Sequence, residues 1–81
     1  MRLDKFLKVS RLIKRRTVAN EVSDMGRVFV NSIPSKPSKQ LKVNDIIEIE
    51  YASKTVKVRV VKIPSGAVSM HEAPLLYENL S

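Results

Sequence analysis

The sequence predicts an α+β domain in which two N-terminal helices precede a small, mostly antiparallel sheet. Apolar residues recur at helical spacing as far as Met25, and after Gly26 they alternate with polar residues at strand spacing. Turn-forming residues separate the later segments. The chain has 81 residues, 43% of them hydrophobic, which suits one domain with a modest core.

The first helix is predicted to run from Arg2 to about Val9. Leu3, Phe6 and Leu7 recur at i, i+3 and i+4, which is the spacing of a single buried stripe. Lysines occupy the opposite side of this helix. The segment is therefore expected to cover a core with one face and to present positive charge with the other.

A second helix is predicted to begin near residues 14–17 and to end at about Met25. Its apolar positions, Val18, Val22 and Met25, again follow helical spacing. Gly26 comes next, where a helix commonly ends on a residue with positive φ.

The sheet is predicted from three segments that alternate in polarity, residues 27–30, 46–51 and 55–63. Asn31 and Ser32 form a turn after the first segment, and residues 43–45 form a turn before the second. Residues 52–54 are predicted to be a hairpin turn.

The C-terminal segment, residues 64–81, differs in charge from the rest of the chain. It contains Glu72 and Glu78 and no Lys or Arg. We interpret it as an acidic tail that follows the main domain, residues 1–63. Residues 72–80 either form a short helix or are partly ordered.

Positive charge is concentrated at the N-terminus. Seven of the 15 basic residues lie within the first 16 positions, where Asp4 alone opposes them, so seven minus one leaves +6 of the net +7. This density favours a polyanionic partner, of which nucleic acid is the commonest. The seven are Arg2, Lys5, Lys8, Arg11, Lys14, Arg15 and Arg16.

Three consecutive cations, Lys14, Arg15 and Arg16, fall at the start of the predicted second helix. A helix N-terminus disfavours each cation by about 0.3–1 kcal/mol, whereas its free N–H groups favour phosphate. Folding alone gives no reason for cations here or at Arg2, so an anionic ligand is the preferred explanation over a solvated loop. The candidate residues for binding nucleic acid are Arg2, Lys5, Arg11, Lys14, Arg15 and Arg16. For Lys5 and Lys8 a solvated helix face remains the alternative. Lys36, Lys39 and Lys42 either extend this surface or belong to a flexible basic loop.

No arrangement of residues predicts catalysis or a cofactor. Cysteine is absent, which excludes disulfides and thiolate metal sites and fits a reducing cytoplasm. His71 is the one histidine, and no paired-ligand spacing accompanies it. No apolar run approaches the roughly 20 residues of a membrane span. We therefore expect a protein that is not an enzyme and that binds neither metal nor membrane.

Several motifs together resemble one known family. Residues 2–7, 14–17 and 26–31, followed by Asn44-Asp45-Ile46-Ile47, resemble the RNA-binding domain named after ribosomal small-subunit protein four, also called the alpha-L motif. The resemblance covers about residues 1–50. Ser32 and Asn44 stand where that family usually has glycine, and both residue types tolerate turns.

Among stand-alone members of the family, residues 1–16 resemble a group of bacterial ribosome-associated quality control factors. The resemblance implies a cytoplasmic monomer that binds rRNA of the large ribosomal subunit and peptidyl-tRNA. It also implies that the protein holds P-site tRNA while RqcH directs C-terminal alanine tailing of the stalled chain. Arg2 and Arg16 match the principal RNA contacts of that group, and Arg11 and Arg15 are supporting candidates.

Three alternatives stay open at this stage. Residues 35–39 and 75–78 also resemble a related heat-shock protein, which implies a role in large-subunit recycling or assembly without tailing. Two helices joined by a short turn could be a DNA-binding helix-turn-helix. A basic amphipathic helix could lie on an anionic membrane, although the core needs its apolar face.

Overall fold

The computed structural model describes residues 1–13, 26–50 and 55–80, and within them one α-helix lies against a five-stranded antiparallel sheet. The strand order is β2-β1-β3-β4-β5. The α+β class predicted from the sequence is confirmed. The elements are α1 Leu3–Val9, β1 Val28–Val30, β2 Ile33–Pro34, β3 Ile46–Glu50, β4 Thr55–Val60, a 3-10 helix Ala73–Leu76 and β5 Tyr77–Asn79.

Helix α1 buries the stripe that its spacing predicts. Leu3, Phe6 and Leu7 are fully buried, while Lys5 and Lys8 are exposed on the other side. Burying one such apolar side chain stabilises the fold by about 1.5–3 kcal/mol. The helix is short, so this burial and not intrinsic helix propensity accounts for its formation.

The predicted second helix, with its apolar positions Val18, Val22 and Met25, lies outside the described residues. The segments that flank it are described. Ile13 is buried in the core, and Gly26 has a φ of +72°, which confirms the positive φ expected there.

The β1–β2 hairpin turns through two residues with positive φ, Asn31 at +52° and Ser32 at +69°. Two-residue loops of this hand match the twist of the paired strands and usually contain glycine. Asn44, in the turn before β3, also has a positive φ of +79°. Ser32 and Asn44, which stand where the resembled family usually has glycine, therefore both keep the left-handed backbone that glycine favours.

The central strands alternate as predicted. Ile47 and Ile49 of β3 and Val58 and Val60 of β4 are fully buried on the inner face of the sheet. Val28 of β1 pairs with Ile49 and continues this apolar row. The predicted turn at 52–54 lies outside the described residues.

Strand β4 ends at Val60, three residues earlier than predicted. The N–H groups of Val61 and Lys62 both donate to the Leu76 carbonyl oxygen, at 2.8 and 3.2 Å. The chain therefore leaves the hydrogen-bonded sheet after Val60, although the apolar residues Val61 and Ile63 follow.

The C-terminal segment, interpreted from the sequence as an acidic tail, contains a 3-10 helix and a strand that joins the sheet. The short helix considered for residues 72–80 is present only as the four-residue 3-10 helix, and the chain continues as β5, which pairs with β4. Pro74 lacks a backbone donor and suits only the first turn of a helix. Ala73 and Leu76 are buried and anchor the segment, and Arg59 of β4 contacts Glu78 of β5 at 2.8 Å.

The core lies between α1 and the inner face of the sheet. We expect Ile47→Ala to lower the free energy of unfolding by about 2–5 kcal/mol, because the site is fully enclosed and a cavity would remain. Ile33→Ala is the matched control, since Ile33 is 65% exposed and should change stability by no more than about 0.5 kcal/mol. Urea unfolding followed by circular dichroism measures both, and equal losses would contradict this placement of the core.

Candidate nucleic-acid interface

The N-terminus is bound along its length to a loop that is distant in sequence. The Leu41 N–H donates to the Met1 carbonyl at 2.9 Å, and the Leu3 N–H donates to the Lys39 carbonyl at 2.8 Å. The Asp4 N–H donates to the Pro37 carbonyl at 3.1 Å, and Arg2 forms a β-bridge with Gln40. We call this pairing of residues 1–4 with residues 37–41 the N-terminal latch.

The latch satisfies backbone donors that a helix start normally leaves without partners. The N–H groups of Leu3 and Asp4 belong to the first turn of α1, and both donate to loop carbonyls. These two donors are therefore not free to bind a phosphate. Any anion near this end of α1 must be recognised by side chains.

A buried carboxylate lies at the centre of the latch. The Asp4 side chain is 1% exposed, and its Oδ1 accepts the Lys5 N–H at 2.8 Å. The Arg2 guanidinium contacts both of its oxygens, with Nε 3.3 Å from Oδ1 and Nη2 3.3 Å from Oδ2. Because the Arg2 side chain is 48% exposed, one edge of the guanidinium is held by Asp4 while the rest faces solvent.

This contact changes the explanation of the cation at position 2. The expectation that folding alone gives no reason for a cation before α1 is wrong for Arg2, because Arg2 balances a buried charge. The sequence presents Asp4 only as one carboxylate among seven cations. Its burial could not be foreseen, since it depends on the latch. The same ion pair also orients the guanidinium, so a structural role and a binding role are compatible.

Arg11 occupies a strained backbone position just after α1. Its φ is +62°, its side chain is exposed, and its N–H donates to the Lys8 carbonyl at 3.0 Å. The left-handed conformation costs a residue other than glycine about 1–2 kcal/mol. An exposed arginine gains no core packing in return. Strain of this kind is typical of functional positions.

The predicted site residues do not all converge. Arg2 precedes α1 and Arg11 follows it, so a seven-residue helix of about 10 Å separates them. Lys5 is exposed between the two. Lys14, Arg15 and Arg16 lie outside the described residues.

The latch brings two further cations beside this row. Lys36 and Lys39 are exposed on the loop that binds the start of α1. From the sequence, an extension of the binding surface is only slightly favoured over a flexible basic loop for these lysines, because the backbone bonds that position them link residues more than 30 positions apart. We call the exposed cations along α1 and this loop the basic surface, namely Arg2, Lys5, Lys8, Arg11, Lys36 and Lys39.

The outer face of the sheet, opposite α1, has a different charge balance. Its strands alternate so that Glu48, Glu50 and Glu78 share this face with Lys57 and Arg59. Arg59 donates to the Glu78 carboxylate at 2.8 and 3.0 Å and to the Asn44 side-chain oxygen at 2.6 Å. The excess of positive charge in the described residues therefore lies on the α1 side.

Neither a metal-binding cluster nor a membrane-spanning helix is found in the described parts of the chain. Residues 1–13, 26–50 and 55–80 contain no cluster of three or more His, Asp or Glu side chains that could hold a metal ion. None of the helices in these ranges is long and apolar enough to cross a membrane.

An α+β domain with cations on one side and balanced charge on the other is a small module for binding polyanions. A family model for the S4 domain matches residues 1–47. A Streptococcus pneumoniae protein named RQC P-site tRNA stabilizing factor is 51% identical over all of this chain and 91% of that relative. A Bacillus subtilis protein of the same name is 53% identical over 95% of this chain and 88% of that relative.

Structural similarity extends over the full chain. The structure of Heat Shock Protein 15 from Vibrio cholerae, described as trimeric, superposes with a TM-score of 0.88 at 28% identity, covering 100% of this chain and 82% of that one. The chain therefore belongs to the S4 domain family and, within it, to the group of the RQC P-site tRNA stabilizing factors. The family resemblance described from the sequence is confirmed, as is the expectation of a non-enzymatic RNA-binding factor.

The ion pair between Arg2 and Asp4 should contribute to stability. We expect Arg2→Ala to lower the free energy of unfolding by about 1–2 kcal/mol, because a buried carboxylate loses its contact with the Arg2 guanidinium while solvent screens the half-exposed pair. Arg2→Lys should recover part of the loss, since an ammonium cannot make the same forked contact. Lys5→Ala, an exposed cation on the same helix, is the control for urea unfolding. If Arg2→Ala and Lys5→Ala unfold at the same urea concentration, the ion pair has no such role.

The strain at Arg11 can be separated from its charge with two variants that both remove the guanidinium. Arg11→Gly should be more stable than Arg11→Ala by about 1 kcal/mol, because only glycine relieves the left-handed backbone. Thermal unfolding of the two variants measures this difference. A more stable Arg11→Ala would show that position 11 is not strained.

Proposed function

We propose that this protein binds large ribosomal subunits that retain a stalled nascent chain, and that it holds the peptidyl-tRNA in the P site. In this proposal it contacts rRNA and tRNA together while RqcH directs the addition of a C-terminal alanine tail. It acts in the cytoplasm as a monomer without a membrane contact. The main support for the proposal is sequence identity of about one half, over nearly the full length, to factors named for stabilising P-site tRNA.

The charge distribution supports this function in physical terms. Contacts to phosphates position a protein on RNA without depending on sequence. A-form RNA is recognised mainly through its backbone and shape. A rigid module with a basic surface on one side needs no catalytic group to bridge two RNA molecules. It stabilises the tRNA by adding contacts that exist only when tRNA and subunit are both in place.

Within this proposal, Arg2 and Arg16 make the principal RNA contacts. Arg2 is supported by its half-exposed guanidinium, which the buried Asp4 orients. Arg11 is a supporting contact, and its exposed, strained position favours that role. Arg16, together with Lys14 and Arg15, is proposed from the charge pattern and the family resemblance alone.

The similarity to Heat Shock Protein 15 favours a second candidate function. The TM-score of 0.88 over the whole chain means that the same fold serves a protein of a different name. A recycling or assembly factor would bind the same subunits without promoting alanine tails. A DNA-binding module has less support, because the described helix packs on a sheet and the chain belongs to the S4 domain family.

The proposed function is tested by measuring alanine tails on a reporter that lacks a stop codon. Cells without the protein should produce no tails, and the wild-type gene should restore them.

Arg16→Ala should weaken co-sedimentation with large subunits about tenfold, because a charge-assisted phosphate contact is lost. Arg27→Ala is the matched control, since Arg27 is an exposed arginine that is not among the candidate RNA-binding residues.

The possible outcomes separate the two candidate functions. Loss of alanine tails in cells that lack the protein, together with weaker subunit binding by Arg16→Ala, supports the tailing role. Unchanged tails in cells that lack the protein would contradict it and favour recycling. Equal effects of Arg16→Ala and Arg27→Ala would show that general positive charge, and not the assigned residue, accounts for binding.

A further inference from the structure

A cavity of about 330 Å³ opens between the β1–β2 hairpin and the loop that follows it. Pockets that hold small ligands begin at about this volume. Its apolar wall is formed by Val30, Ile33 and Pro34, and Lys36 and Lys39 lie at its rim. None of the residues that line it is acidic.

The apolar wall includes one large side chain that contributes little to the core. Ile33 is 65% exposed, next to the apolar ring of Pro34 on the edge strand β2. Together they offer an apolar surface at the cavity mouth. Such a surface suits a planar, partly apolar group better than it suits a charged one.

The cavity is formed before any ligand arrives. The Ser35 N–H donates to the Val28 carbonyl at 2.9 Å, and the Lys39 N–H donates to the Lys36 carbonyl at 3.0 Å. The latch then holds the Lys39 carbonyl against Leu3 at 2.8 Å. A ligand entering this site therefore loses little free energy to ordering the loop.

The cations at the rim are available for a ligand. Neither Lys36 nor Lys39 forms an ion pair with a carboxylate in the described parts of the chain. Arg2 lies next to them, because it bridges to Gln40, the residue after Lys39. The cavity therefore adjoins the basic surface and combines an apolar wall with phosphate-binding groups.

We propose that this cavity binds one unstacked nucleotide of the RNA. The base packs against Ile33 and Pro34, and the flanking phosphates contact Lys36 and Lys39. Proteins commonly bind RNA through bases that are splayed out of loops and bulges, so this ligand chemistry matches the site. The inference rests on the proposed function, because it requires an RNA partner, and it adds a preference for an unpaired nucleotide.

The test uses two fluorescently labelled RNA hairpins that differ only by one bulged nucleotide. Wild-type protein should bind the bulged hairpin about fivefold to tenfold more tightly by fluorescence anisotropy, because the extra base buries apolar surface in the cavity. Ile33→Ser should remove this preference and bind both hairpins equally. Lys39→Ala should weaken binding to both and flatten the salt dependence by about 0.7–0.9 in log–log slope.

Leu75→Ser is the matched control. Leu75 is 68% exposed on the 3-10 helix, which precedes the opposite edge strand β5, so this variant should keep the preference for the bulge. Thermal unfolding of each variant confirms that the fold is intact. If wild type binds both hairpins equally, or if folded Ile33→Ser keeps the preference, the inference is wrong.

Co-sedimentation with large subunits separates this inference from the proposed function. Subunit binding without a bulge preference would overturn the nucleotide site and leave the proposed function standing. If the wild-type protein bound neither the hairpins nor the subunits, both the nucleotide site and the proposed function would be overturned. If Ile33→Ser lost subunit binding while wild type showed no bulge preference, the cavity would hold a protein segment and the inference would fail.

Discussion

The buried carboxylate of Asp4 is the constraint around which the N-terminal part of this fold is arranged. An ionised group removed from water costs several kcal/mol unless charge and hydrogen bonds compensate. Here the Lys5 N–H and the Arg2 guanidinium supply both. They can do so because the latch fixes the backbone on either side, through bonds from residues 1–4 to residues 37–41. The start of α1, the basic loop and the direction of Arg2 therefore depend on one another.

This arrangement explains how a small chain presents a set of cations on a fixed backbone. Arg2 and Lys39 are distant in sequence, yet the latch holds their backbones side by side. The opposite face of the sheet balances its charges through pairs such as Arg59 with Glu78. One side of the molecule is therefore suited to phosphates and the other is not. A factor that stabilises RNA by added contacts benefits from such preorganisation, since little free energy is spent on ordering the backbone that carries these cations.

The parts of the fold that follow local periodicity could be predicted from the sequence. The stripe of α1 and the alternation in β3 and β4 are local patterns, and the turns at Ser32 and Asn44 are local in the same sense. Strand β5 could not be predicted, because residues 77–79 have no strand pattern and pair only where β4 offers an open edge. The burial of Asp4 and the cavity beside Lys39 depend on the latch, whose bonds join distant residues. Among the candidate site residues, charge density identified Arg2 and Arg11 but not the ion pair or the strain that distinguishes them.

We propose that the α1 side of the molecule, with Arg2 held by Asp4, is the side that contacts RNA. The decisive experiment is a structure of the protein bound to a large ribosomal subunit with P-site tRNA. We expect the basic surface to face RNA phosphates, the ion pair of Arg2 with Asp4 to be intact, and the outer face of the sheet to point away from the RNA. An RNA contact made chiefly by that outer face, across Arg59 and Glu78, would contradict it.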